Sequence, residues 1–197
     1  MDGTVPEVAV FILAGGKSTR MGADKARVIL GGRTLLVRAL ELARSVTADV
    51  RIVGDAGKFG AFAPVVEDVF RECGPLGGIH AALHASASEL NLMLAVDLPF
   101  VSRALIEYLI ARARGSAAMV TVARIGGGWQ PLCAVYRRDF AAAAETALRQ
   151  GRYKIDALFE MQRTRVIAED ELKVVGFSGE MFCNLNTPEE LAAASER

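Results

Sequence analysis

The apolar run Val8-Ala9-Val10-Phe11-Ile12 leads directly into Leu13-Ala14-Gly15-Gly16-Lys17-Ser18-Thr19-Arg20-Met21-Gly22-Ala23-Asp24-Lys25. A strand without polar alternation is covered on both faces, which restricts the chain to a sheet held between layers of helices. The loop restricts the chemistry. Adjacent glycines bring backbone N–H groups close to a ligand, and Lys17, Arg20 and Lys25 add positive charge, a combination suited to a polyphosphate. Spacing excludes two common phosphate loops. A P-loop ending at Gly16-Lys17-Ser18 needs a glycine where Phe11 stands, and G-x-G-x-x-G fails because Gly15 and Gly16 are adjacent and the next glycine is Gly22.

Strand patterns recur at residues 8–13, 50–53, 64–66, 92–96, 118–123 and 132–136. Between them, Leu35, Leu36, Ala39, Leu40, Ala43 and Val46 keep helical spacing, as do Leu105, Ile106, Leu109, Ile110 and Ala113. Ser102 suits the N-cap of the second helix, and Thr187-Pro188-Glu189-Glu190 joins a capping box to proline at the first helical position. Residues 138–150 predict another helix, and residues 153–177 favour neither period. With no repeat, low-complexity tract or long linker, the chain predicts one α/β domain over residues 1–197: a Rossmann-like three-layer αβα sandwich with a mostly parallel sheet.

Composition narrows the partners. Across 197 residues, 52% hydrophobic and 23% charged content excludes disorder. Twenty-three basic residues balance twenty-three acidic ones, so no general field draws nucleic acid or an anionic membrane. Cys73, Cys133 and Cys183 are odd in number and lack C-x-x-C spacing, which argues against a disulfide framework or a zinc site and for the reducing cytoplasm. No basic run or long apolar stretch at the start suggests export or a membrane span.

Open α/β sheets bind ligands beyond the carboxyl ends of their strands. Three features fall there: the glycine loop after Leu13, Asp68 after Val65-Val66-Glu67, and Asp97 after the run 92–96. Asp97 offers a hard oxygen suited to Mg²⁺ shared with substrate phosphates, although a turn aspartate before Leu98-Pro99 is the plain alternative. His80 and His84 lack a third ligand and an H-E-x-x-H motif, so no metal pair is expected. Gly74-Pro75-Leu76-Gly77-Gly78 fits both a tight turn into a packed helix and a small-residue wall beside a nucleotide. Arg137-Arg138 reads as a solvated pair.

Together these segments resemble the molybdenum cofactor guanylyltransferases, within the glycine-loop nucleotidyltransferases. The opening loop from Leu13 to Lys25, Asp68 with Gly74-Pro75-Leu76-Gly77-Gly78-Ile79, Asp97-Leu98-Pro99-Phe100, Gln130-Pro131-Leu132-Cys133-Ala134-Val135-Tyr136 and Asn184-Leu185-Asn186-Thr187-Pro188-Glu189-Glu190 follow that family's motifs in order. The resemblance implies transfer of GMP from GTP to the terminal phosphate of molybdopterin carrying molybdenum, with release of pyrophosphate. It further implies that Leu13, Ala14, Gly15 and Gly16 line the nucleotide, Arg20 and Lys25 contact phosphates, Asp68 lies in the guanine pocket, Asp97 binds Mg²⁺, and Asn184 and Asn186 face the pterin. Proteins that deliver the cofactor or mature molybdoenzymes are the implied partners, and a monomer is favoured. Some relatives place an asparagine base contact where this chain has Gly54-Asp55, which leaves that contact open. Trp129 fits either a stack on the pterin or an exposed strand-edge aromatic, Asn184 and Asn186 either product binding or helix capping, and Arg163 with Arg165 either an anion patch or a solvated pair.

In this chemistry a phosphate oxygen attacks the α-phosphorus in line while pyrophosphate leaves. The nucleophile is already anionic near neutral pH, so no catalytic base is sought. Other readings are a cytidylyltransferase acting on molybdopterin, a nucleotidyltransferase acting on a sugar or polyol phosphate, and a non-catalytic GTP-binding adaptor. Cytidylyltransferase relatives resemble Leu-Ala-Ala-Gly where this chain has Leu13-Ala14-Gly15-Gly16, so the absent Cβ at position 15 leans toward GTP.

Overall fold

The computed structural model describes residues 7–15, 24–159, 163–185 and 187–195. Its centre is β1 (Val8–Leu13), bonded in parallel to β4 (Val50–Val53) on one side and to β6 (Leu90–Ala95) on the other. Alternate residues of β1 enter two separate cores, as period-two geometry requires. Val8, Val10 and Ile12 pack with α1 (Leu35–Arg44) and α4 (Arg103–Arg114) on one face. Ala9 and Phe11 pack with α3 (Pro75–Ala85) and α5 (Phe140–Arg149) on the other. Both faces are dry, which explains the uninterrupted apolar run.

The seven-stranded sheet has the order β5-β4-β1-β6-β8-β7-β9, completed by β5 (Val65–Val66), β7 (Val120–Ile125), β8 (Gly128–Arg137) and β9 (Thr164–Ala168). Only β8 runs against its neighbours, β6 and β7. The expected sandwich is therefore the observed one. From β1 the chain builds outward through β4 to β5, then returns through α3 to β6 on the opposite side of β1. That reversal puts the switch point between the carboxyl ends of β1 and β6, where a crevice opens.

Caps fix the helix starts. Thr34 accepts from Val37 N at 3.3 Å to begin α1, and Ser102 accepts from Leu105 N at 3.2 Å to begin α4. Thr187 and Glu190 bond reciprocally at 3.2 Å ahead of α7 (Pro188–Ser195), the expected capping box.

Other features depart from the expectations. A hairpin of β2 (Ile29–Leu30) and β3 (Arg33–Thr34) turns through Gly31 and Gly32, both at positive φ, and short α2 (Ala56–Phe59) follows β4. Within the segment that favoured neither period lie β9 and α6 (Glu169–Val174), joined to α4 by Glu171. Its carboxylate takes Arg165 at 2.6 and 2.8 Å and the Tyr108 hydroxyl at 2.9 Å. Arg165 is thus committed to an ion pair and supplies no anion patch. Arg137 is not a solvated residue either. It donates to the carbonyls of Ala113, Ser116 and Ala118 at 3.1, 2.7 and 3.2 Å, closing the carboxyl end of α4.

Candidate active site

At the switch point the backbone is continuous across three strands. Ala14 N donates to Val53 O at 3.0 Å, and Val96 N donates to Leu13 O at 3.2 Å. These bonds hold the start of the glycine loop beside the turn that carries Asp97. Chain-distant Lys25 returns there on a 3-10 turn, Lys25–Arg27, capped by Asp24 and anchored by buried Ala26. Lys25 Nζ lies 2.6 Å from Asp97 Oδ2. The side chains are 24% and 14% exposed, so the pair is partly desolvated yet reachable from the crevice.

Asp97 is a fitting magnesium ligand on donor chemistry alone, being a hard carboxylate at the mouth of a cleft. Among the described residues no group of three or more His, Cys, Asp or Glu side chains could enclose a metal. A metal at Asp97 would therefore need further ligands from water and substrate phosphates, as magnesium usually does. His80 is buried on α3 against Phe70, and burial lowers its pKa. This is a packed core histidine.

Asp68 follows β5 at the carboxyl edge of the sheet. Its Oδ1 is buried without a hydrogen-bond partner, and desolvation raises its pKa. A buried acceptor left unmatched costs about 1–3 kcal/mol, which a ligand donor can offset. A helix glycine packs closely beside this carboxylate. A Cβ on Gly78 would sit 3.2 Å from Val53 Cγ1, 3.5 Å from Asp68 Oδ1 and 3.6 Å from Leu13 Cδ2. The tight turn into a packed helix is therefore what this motif forms.

Among the described residues, a Cβ on Gly15 would make ordinary contact at 3.9 Å with Gly54 Cα and Val53 O. Gly54 itself is constrained, since its Cβ would come within 3.0 Å of the Phe59 ring. Asp55 does not replace the missing asparagine contact. Its carboxylate accepts from Lys58 N at 3.0 Å and caps α2. Lys58 in turn lies 3.7 Å from Asp24, a link between α2 and the turn bearing Lys25 that the sequence motifs did not suggest.

On the opposite flank, Leu185 N donates to Asp97 O at 3.0 Å, so exposed Asn184 lies on the segment beside the turn that carries Asp97. Trp129 is half-buried against Phe159 rather than exposed at a strand edge. Gly16, Arg20 and Asn186 lie outside the described residues.

Residues 10–166 match the MobA-like NTP transferase domain family. The chain belongs to this family. A molybdenum cofactor guanylyltransferase of Desulfosudis oleivorans is 37% identical over 190 residues, covering 95% of this chain and 94% of that protein. A probable molybdenum cofactor guanylyltransferase of Pelotomaculum thermopropionicum is 35% identical over 185 residues, covering 93% and 89%. The crystal structure of molybdopterin-guanine dinucleotide biosynthesis protein A from Archaeoglobus fulgidus superposes with a TM-score of 0.84 at 28% identity, covering 95% of this chain and 97% of that one. In this MobA-like chain Leu13 and Leu185 are thus bonded to the Val96–Asp97 turn, where Lys25 arrives as well.

Proposed function

We propose that this MobA-like transferase moves GMP from GTP onto the terminal phosphate of molybdenum-bearing molybdopterin, forming the guanine dinucleotide and releasing pyrophosphate. The observation that carries the reading is the 2.6 Å meeting of Lys25 and Asp97 at the switch point. A phosphate-binding cation and a metal-binding carboxylate at one place suit a reaction between two polyanions. Asp97 would hold a magnesium ion, which would supply charge neutralisation at the reacting phosphoryl group. The backbone N–H groups from Gly15 onward, with Arg20 and Lys25, hold the triphosphate and keep the leaving group in line. No side-chain base is needed.

Asp68 gives the preference for guanine. Its carboxylate accepts hydrogen bonds, and guanine presents adjacent N–H donors at N1 and N2, whereas cytosine presents one donor between or beside acceptors. The absent Cβ at Gly15 suits the larger purine. These two features disfavour the cytidylyl reading. Asn184 and Asn186 serve the acceptor side, and three free thiols agree with a reducing compartment. Among the described residues no helix is long and apolar enough to cross a membrane.

The test is pyrophosphate release from GTP, CTP, ATP and UTP, each with and without molybdopterin. GTP with molybdopterin gives turnover and the other combinations do not. Selective turnover of CTP would replace guanylyl with cytidylyl transfer, and pyrophosphate release from GTP without acceptor would reject the acceptor assignment.

A further inference from the structure

The carboxyl edge of the sheet carries, near the end of β7, a cation that the proposed nucleotide chemistry does not use. Because Leu94 pairs with Cys133, residues 128–132 of β8 run past the carboxyl end of β6 and stand at the rim beside Asp97. There Arg124 pairs across the hairpin with Trp129. The guanidinium carbon lies 5.1 Å from the indole centroid, and Arg124 Nε donates to Gly127 O at 3.0 Å. Phe159 supports the indole edge at 5.1 Å and 73°. One planar cation is thereby fixed on an aromatic seat. Its Nη atoms have no hydrogen bond among the described residues, and Arg124 is exposed.

Trp129 packs on the same core layer as Leu76 and Ile79, the layer below Asp68. Strand order then sets out the rim: Asp68 after β5, Asp97 after β6, and Arg124 at the end of β7. Two strand spacings, about 10 Å, separate the strand of Asp97 from that of Arg124. A bicyclic ring with a phosphate arm covers that span.

We propose that Arg124, seated on Trp129, is the anchor that selects the acceptor: its Nη–H groups bind the ring carbonyl oxygen of a pterin-type heterocycle whose phosphate arm extends toward the turn that carries Asp97. The inference rests on the guanylyl-transfer reading and adds a specificity-determining residue to it. Arg124 contacts the acceptor, and Trp129 acts through it as a positioning residue.

The test uses Arg124→Gln, with the chain's sole tryptophan as a reporter in both proteins. The KM for molybdopterin rises about tenfold in the variant, equivalent to about 1.4 kcal/mol, while the KM for GTP changes less than about twofold. Molybdopterin shields Trp129 from acrylamide quenching in the parent protein and much less in Arg124→Gln; GTP gives no shielding. Equal rises in both KM values indicate a structural role and overturn the proposal, as does shielding by GTP instead of molybdopterin or shielding by neither. Pyrophosphate release from GTP and molybdopterin with no change in Arg124→Gln defeats this inference alone. Absence of that turnover in the parent protein defeats the reaction itself, and the shielding experiment still reports whether the acceptor sits at Arg124.

Discussion

Lys25 and Asp97 stand 72 positions apart in the chain and meet at 2.6 Å, joined by the adjacency of β1 and β6 rather than by any local motif. Removing either group withdraws charge stabilisation from the reacting phosphates, a loss of about 2.7–4 kcal/mol in comparable sites. Lys25→Ala and Asp97→Ala each lower kcat at least about a hundredfold. Steady-state pyrophosphate release measures this, with far-UV circular dichroism to confirm the fold. Near-parental turnover in either folded variant removes the pair from the mechanism.

Asp68 trades stability for recognition. Burial raises its folded pKa above the usual carboxylate value, so the folded state binds the proton more tightly than the unfolded chain does. Stability is therefore lost as pH rises from the unfolded value through the folded one, and the charged form bears the full cost at pH 8. Asp68→Asn melts no lower than the parent at pH 8 without nucleotide, while its preference for GTP over ATP falls at least about tenfold. A lower melting temperature with unchanged selectivity contradicts this assignment.

Two glycines separate packing from ligand space. A Cβ on Gly77 would lie 2.7 Å from Phe70 O, so Gly77→Ala costs about 1–3 kcal/mol of stability by crowding. A Cβ on Gly15 would make only ordinary contact with the described residues, at 3.9 Å, so Gly15→Ala keeps its melting temperature and loses about tenfold in its GTP to CTP turnover ratio. Thermal melts and paired kcat/KM values distinguish the cases.

His80 predicts an acid-sensitive core. Desolvation is the largest cause of its lowered pKa, Glu145 opposes that shift, and His84 and Arg149 reinforce it. The unfolded chain thus accepts the proton more readily, and stability declines as pH falls through 6.5 toward the lower folded value. His80→Phe, facing the edge of Phe70, flattens that part of the melting profile. An unchanged slope between pH 7 and 5 counts against His80 as its source.

The sequence made the central strands visible because burial on both faces leaves little room for polar residues. Val8–Leu13 and Val50–Val53 appear with their expected limits. β9 was hidden by its edge position: it pairs only with β7, and Arg165 in its middle turns to Glu171. The first half of β8 was hidden for a related reason. Trp129, Gln130 and Pro131 extend past β6 and need no continuous apolar pattern. At the site, strand ends pointed to Lys25, Asp68 and Asp97, but the capping role of Asp55 and the Lys58–Asp24 link depend on how α2 folds back.

The central claim is that Asp97 and Lys25 hold one metal-loaded triphosphate. Electron paramagnetic resonance of Mn²⁺ titrated into protein, with and without GTP, tests it most directly. The account predicts tight manganese binding only when GTP is present, weakened at least about tenfold by Asp97→Asn. Equally tight GTP-dependent manganese binding in Asp97→Asn would contradict it.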